Sequence, residues 1–260
     1  MTKFSSLLAV LLLMLVSFTA NSQDYPRGDV SQDGNVSISD VTCLIDYLLS
    51  GTWPDEPVTP PDDHEWVDLG LPSGTLWATC NVGANAPEEF GDYFAWGETA
   101  PKDYYDWSNY KWCNGNDSTL TKYCNDSTYG YNGFVDNKVE LDPEDDAAYV
   151  NWGPSWRMPT VNQTGELCDY CTWQWTQVNG VNGRLVTGPN GNTLFMPAAG
   201  QCVNNGANIG VGIWGVTWAR RLGPNFPFEA FDPVFESDYM DWFVYGPRDV
   251  GHTVRAVRVP

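Results

Sequence analysis

Apolar residues are spaced in four different ways along the chain, and each spacing predicts a different kind of segment. Leu7 to Val16 is an unbroken apolar run behind Lys3, followed by small residues at Ala20 and Ser22. It is too short to cross a bilayer, and the order of charge, apolar stretch and small residues predicts a secretory signal over residues 1–22, cleaved before Gln23. Val41, Leu44, Ile45 and Leu48 then fall at i, i+3, i+4 and i+7, which predicts an amphipathic helix over 39–50 ended by Gly51. Next comes TWPDEPVTPPDD, with no apolar period, a stiff polar linker over 52–65.

From residue 66 onward the period shortens again. Brief apolar runs alternate with Gly and Pro turns, the pattern of short strands and loops. One helix is expected, Thr160 to Cys171, capped by Asn162 or Thr164 and burying Leu167, Tyr170 and Cys171. Residues 178–200 predict three strands joined by hairpin turns at Asn182-Gly183 and Asn190-Gly191. The end, 252–260, alternates apolar and polar residues and predicts a closing strand.

Charge narrows the partners. A formal net charge of −20 excludes a polyanion as the main partner, because nucleic-acid binding rests on cationic side chains. No segment is predicted to span a membrane. An exported chain meets an oxidising compartment, so its cysteines are expected in disulfides. Cys113 and Cys124 are expected to clip the loop between them, and Cys80 to pair with Cys171 or Cys202. Seven cysteines leave one over, and Cys43 is the candidate for an intermolecular bridge.

The most specific chemical motif is Asp29-Val-Ser31-Gln-Asp33-Gly34-Asn35-Val36-Ser37-Ile38-Ser39-Asp40. Calcium needs about six to eight oxygen ligands. Asp29, Ser31, Asp33, Ser37 and Asp40 stand at ligand positions 1, 3, 5, 9 and 12, Asn35 offers its carbonyl, and Gly34 permits the sharp turn. Ca2+ is therefore the expected cofactor, with Ser37 reached through water. Residues 28–51 resemble one repeat of a type I dockerin, an EF-hand-like loop-helix module of polysaccharide-degrading assemblies. That resemblance implies a cohesin-like scaffold as partner. A dockerin has two such repeats, and this chain has no second one. A single repeat cannot bury its own apolar stripe, so a self-dimer through this module (23–51) is the competing expectation.

Residues 66–260 carry VDLGLPSGTLWATCNVGA, FGDYFAWGET, LDPEDDAAYVNWGPSWRMPT, GPNGNTLFMPAAG and HTVRAVRV in that order. Together these blocks resemble the Fibrobacter succinogenes major paralogous domain, a family of exported Bacteroidetes and Fibrobacteres proteins similar to the C-type-lectin and formylglycine-generating-enzyme fold. The resemblance implies an α+β, C-type-lectin-like domain with short strands and few helices.

No catalytic set stands out. Cys202 lacks the partner that a copper site of the formylglycine-generating type needs, and Cys168-x-x-Cys171 has neither a second pair nor a nearby His for zinc. Gly210-x-Gly212-x-x-Gly215 lacks the strand-helix context of a dinucleotide fingerprint. His64 and His252 stand in no metal or triad spacing. The acidic run Asp142 to Asp146 is either a second calcium site or a solvated turn before a helix. What remains is an aromatic-rich stretch, 214–245. Trp214, Trp218, Trp242 and Tyr245, rimmed by Arg220 and Arg221, are the expected ligand-binding residues, since rigid amphipathic rings favour recognition. The reading is thus a secreted or cell-surface, non-enzymatic binding or adhesion protein that recognises a glycan or a surface protein. The alternatives are a scaffold-docked polysaccharide hydrolase and a variable surface-display protein.

Overall fold

The computed structural model describes residues 64–203 and 206–258, together with Val41, Leu44 and Ile45. The chain divides into two compact units, Met1–Asp62 and Asp63–Pro260. In the first unit the three described residues are helical, with Val41 and Ile45 exposed and Leu44 half-buried. The signal segment, the calcium loop from Asp29 to Asp40 (with Ser31, Asp33, Asn35 and Ser37), Cys43 and the linker lie outside the described residues.

The second unit is built from short strands and few helices. In chain order they are β1 (Trp66–Asp68), β2 (Leu76–Ala78), α1 (Ala147–Trp152), α2 (Val161–Tyr170), β3 (Thr172–Val178), β4 (Val181–Thr187) and β5 (Thr193–Pro197). The second half adds β6 (Gln201–Cys202), β7 (Asn208–Ile209), β8 (Gly215–Val216), β9 (Glu229–Phe231), β10 (Val234–Phe235), β11 (Met240–Asp241), β12 (Tyr245–Pro247) and β13 (Val257–Arg258). Its longest strands form an antiparallel sheet of order β3-β4-β5. A second sheet, β1-β2-β13, joins the beginning of the unit to its end through Val257↔Trp77 and Arg258↔Leu76. The element content is that of an α+β or mainly β fold.

Local chemistry explains where the elements begin and end, sometimes differently from the sequence pattern. Helix α2 is capped by Thr160, not by Asn162 or Thr164: the Thr160 hydroxyl accepts from Gln163 N, and Gln163 answers on the Thr160 N–H. Its buried side is Thr164, Gly165 and Leu167, while Tyr170 stands exposed. Of the two Asn-Gly pairs in VNGVNG, the turn is made by Asn179-Gly180, with φ of 49° and 86°, and Asn182-Gly183 lies inside β4. Gly183 is needed there for space: a Cβ would sit 2.3 Å from the Met196 carbonyl of the paired strand. The second turn is at 188–192, where Gly188 N donates to Asn192 O.

The core is aromatic, and several of its indole N–H groups end on carbonyls. Trp96 donates to Ala219 O (2.9 Å), Trp218 to Phe94 O (2.7 Å) and Trp112 to Gly97 O (2.7 Å). Residues 252–257 alternate in chemistry but not in burial: His252, Thr253 and Arg255 are as buried as Val254 and Ala256. The segment runs through the middle of the core, so its polar groups need internal partners. The Arg255 guanidinium finds Asn81 Oδ1 and the carbonyls of Ala78 and Thr79. Burial pushes its pKa down to about 10.

Candidate functional site

The residues expected to bind a ligand are not brought together. Trp218 is fully buried, bonded to Phe94 O and stacked on His252 at 4.1 Å, so it is core and cannot touch a ligand. Trp214 is half-buried, its ring so close over Gly210 that a Cβ there would lie 2.1 Å from it. Trp242 packs against Gly165 of α2, while its neighbour Phe243 stands exposed across a bend in the chain, the two rings meeting edge-on at 5.3 Å. Arg220 and Arg221 both reach Glu140, at 3.6 and 3.2 Å, and serve local charge balance.

Tyr245 alone of that set borders an exposed ring cluster. Phe226 and Phe228 stack nearly parallel, 5.0 Å apart with 12° between planes. Tyr129 meets them at 5.9 and 5.2 Å from a distant part of the chain. Phe226 is exposed, and Asn225 beside it donates to the Tyr245 hydroxyl at 2.5 Å. A tight turn accounts for the Phe pair: Glu229 N donates to Phe226 O, so Pro227 and Phe228 form the bend that folds the two rings over one another. That spacing was visible in the sequence, whereas Tyr129 was not.

The cluster is fastened from below by Arg248, which is completely buried. Its guanidinium donates to the carbonyls of Pro227, Tyr123 and Lys122 and to the Tyr110 hydroxyl, and its main-chain N–H to Phe228 O. The rings of Trp96 and Tyr110 lie 5.0 and 5.2 Å from its charge centre. A buried cation without a carboxylate is thereby solvated by dipoles and π faces.

The acidic run is tied into the fold. Asp142, Glu144 and Asp145 bring carboxylate oxygens within 4.8 Å of one another, the geometry of a possible metal site. Lys122 Nζ stands among them, at 2.7, 3.7 and 2.6 Å. Burial alone would lower the Lys122 pKa, but its bonds to Asp142 and Asp145 hold it above the ordinary value. Asp146 is the N-cap of α1, accepting from Ala148 and Tyr149 N, and also from Met158 N at 2.9 Å. An ammonium thus stands among the three carboxylates and pairs with them.

The cysteine expectations are also revised. Cys80, Cys113, Cys124, Cys168, Cys171 and Cys202 are all free thiols. Cys113 Sγ faces Trp107 O and Cys124 Sγ faces Asp126 O, so the expected clip between them is not formed. In the Cys168-x-x-Cys171 pair, burial pushes the thiols up to about 12 and about 11, which leaves little nucleophilic thiolate at neutral pH. The small cleft lined by Trp77, Leu167, Cys168, Met196, Phe235 and Met240 has room for little more than a water molecule.

One titratable cluster was not legible in the sequence. His252 is 2% exposed, neither ring nitrogen has a hydrogen-bond partner, and Nδ1 lies 3.9 Å from Asp232 Oδ2. Burial pushes the Asp232 carboxyl up to about 8, helped by Glu229, and the imidazole down to about 3. Such a pair resembles an acid-base couple, but an imidazole sealed under Trp218 has no path to a substrate. Among the described residues no helix is long and apolar enough to cross a membrane.

Comparison with known protein families, curated proteins and solved structures found no match. The likeness to the Fibrobacter succinogenes major paralogous domain therefore rests on the sequence blocks alone.

Proposed function

We propose that this is an exported, non-enzymatic recognition protein in which the second unit binds a glycan or a surface protein through Tyr129, Phe226, Phe228, Asn225 and Tyr245. The observation that carries this reading is the nearly parallel Phe226/Phe228 pair, Phe226 exposed and Phe228 half-buried, edged by Tyr129 and rimmed by Asn225 and the Tyr245 hydroxyl. Rigid rings with polar tips stack on sugar or peptide faces at small entropic cost, and a buried Arg248 keeps these in place before a ligand arrives. The proposal includes a C-type-lectin-like fold, membership of the paralogous-domain family and a dockerin-like calcium module at residues 23–51. Its supports are the sequence blocks and the loop from Asp29 to Asp40. A glycan array probed with the secreted chain, with and without calcium, tests it. Phe226→Ala should weaken a captured glycan by about 1–3 kcal/mol while costing about 1 kcal/mol or less in stability. Release of reducing sugar from the same glycans would favour the scaffold-docked hydrolase instead.

A further inference from the structure

Strands β9 and β12 pair antiparallel, Phe231 against Tyr245 and Gly246 against Ala230, and β12 carries one edge of the aromatic face. Beneath this ribbon Asp232 follows β9 directly, and its N–H donates to Val244 O just before β12. Gly246 lies so close that a Cβ there would come within 2.5 Å of Asp232 Oδ2. On the inner side stands His252, held by a two-way backbone pairing with Phe94 and by its stack on Trp218. A neutral imidazole has one N–H and one acceptor nitrogen, and both are unpartnered here. Nδ1 faces the Asp232 carboxyl at 3.9 Å, and about 1 Å of movement makes that contact a hydrogen bond.

We propose that Asp232 and His252 share one proton as a buried latch that holds the β9–β12 ribbon against the core, and that loss of this proton at mildly alkaline pH loosens the ribbon. With the proton present, either the acid donates to the imidazole or the imidazolium donates to the carboxylate, and the pair is neutral overall. Without it, a net negative charge remains in a site whose other facing groups are the Glu229 carboxylate, which repels it, and the electron-rich face of Trp218. Among the described residues no cation pairs with Asp232 or His252 to offset that charge.

The sign follows from linkage. Asp232, raised to about 8, favours folding below its unfolded value near 3.8 and loses that contribution as pH rises through 8. His252, lowered to about 3, works the other way, gaining as pH rises from 3 to its unfolded value near 6.5. The two offset one another from about pH 4 to 6.5. From there to about pH 8 only the Asp232 effect remains, and the folding constant falls by up to tenfold per pH unit.

The chain has two histidines, so a His64→Asn variant of the full chain reports on His252 alone. Ring nitrogen-proton spectra should show no protonation step near pH 6.5 and one shift centred near pH 8, which Asp232→Asn removes. Amide exchange of residues 229–232 and 244–247, corrected for its intrinsic pH dependence, should speed up at least fivefold between pH 6.5 and 8.5 relative to the β3–β4 hairpin. If Asp232→Asn does not fold, the spectrum of the His64→Asn chain decides by itself. A His252 that titrates near 6.5, or a ribbon whose exchange tracks the hairpin at both pH values, overturns the proposal. Neither readout needs a ligand, so this outcome is independent of the recognition reading.

Discussion

At the scale of single residues, burial separates rings that look alike in the sequence. Trp218 and Phe226 both sit in the aromatic stretch, yet one is sealed and the other is exposed. Trp218→Ala should destabilise the chain by about 3–5 kcal/mol, because it removes a fully packed indole and its bond to Phe94 O. Phe226→Ala should cost about 1 kcal/mol or less in the same denaturant titration, since part of its ring is already in water. Arg248 gives a sharper contrast. Its planar fork reaches the carbonyls of Lys122, Tyr123 and Pro227 and the Tyr110 hydroxyl together, which a Lys ammonium cannot do from one point. Arg248→Lys should therefore lower the melting midpoint clearly, by about 2 kcal/mol or more, and should weaken glycan capture beyond the effect on stability, because Pro227 between the two Phe rings loses its anchor.

At the scale of elements, the pattern identified α2, with its bounds, and the β3–β5 region but misplaced the helix cap and the first hairpin turn. Thr160 caps α2 because its hydroxyl and Gln163 satisfy each other's backbone groups, a pairing that Asn162 and Thr164, already inside the helix, do not make. Thr160→Ala should cost about 1 kcal/mol by urea midpoint. The repeated Asn-Gly shows how a local signal can be right in kind and wrong in place. Both pairs can form a hairpin turn, and the choice depends on register: with the turn at 179–180, Val186 of β4 is set into the core beside Leu194. Gly180→Ala should cost about 1–2 kcal/mol for a Cβ at φ 86°. Gly183→Ala should cost about 1–3 kcal/mol for a different reason, a clash with the Met196 carbonyl.

At the scale of the whole molecule, charge and thiol chemistry set the expected behaviour. Burial raises Asp249, to about 6, as well as Asp232, so both acids withdraw stability as pH rises from about 4 toward 8. Asp142 opposes them on the acid side. Its own desolvation is outweighed by Lys122 and Lys138, so its contribution is present above about pH 4 and is lost below. The melting midpoint should accordingly be higher at pH 5 than at pH 8.5. Because the described cysteines are free, a reductant should leave that midpoint unchanged at pH 5, and thiol labelling of the unfolded chain should modify Cys80, Cys113, Cys124, Cys168, Cys171 and Cys202. Calorimetry should give a single calcium isotherm that Asp33→Ala and Asp40→Ala abolish.

By itself the sequence determined what short-range chemistry can carry: a large segment of short strands and few helices, one clear helix near 161–170, the turn-rich region after it and a strongly acidic charge balance. Those features depend on neighbours a few residues apart, where periodicity and turn residues act directly. Only the tertiary structure decided which polar groups lie inside and which rings lie outside. His252 and Arg255 read as the polar side of an alternating strand until the chain is seen to run through the core. Tyr129 joins Phe226 and Phe228 from about a hundred residues away, and Lys122 reaches Asp142, Glu144 and Asp145 from about twenty. Burial and long-range partnership are properties of the packed chain: they seal Trp218 in the core, leave Trp214 and Trp242 half-buried, and expose Phe226 beside a half-buried Phe228.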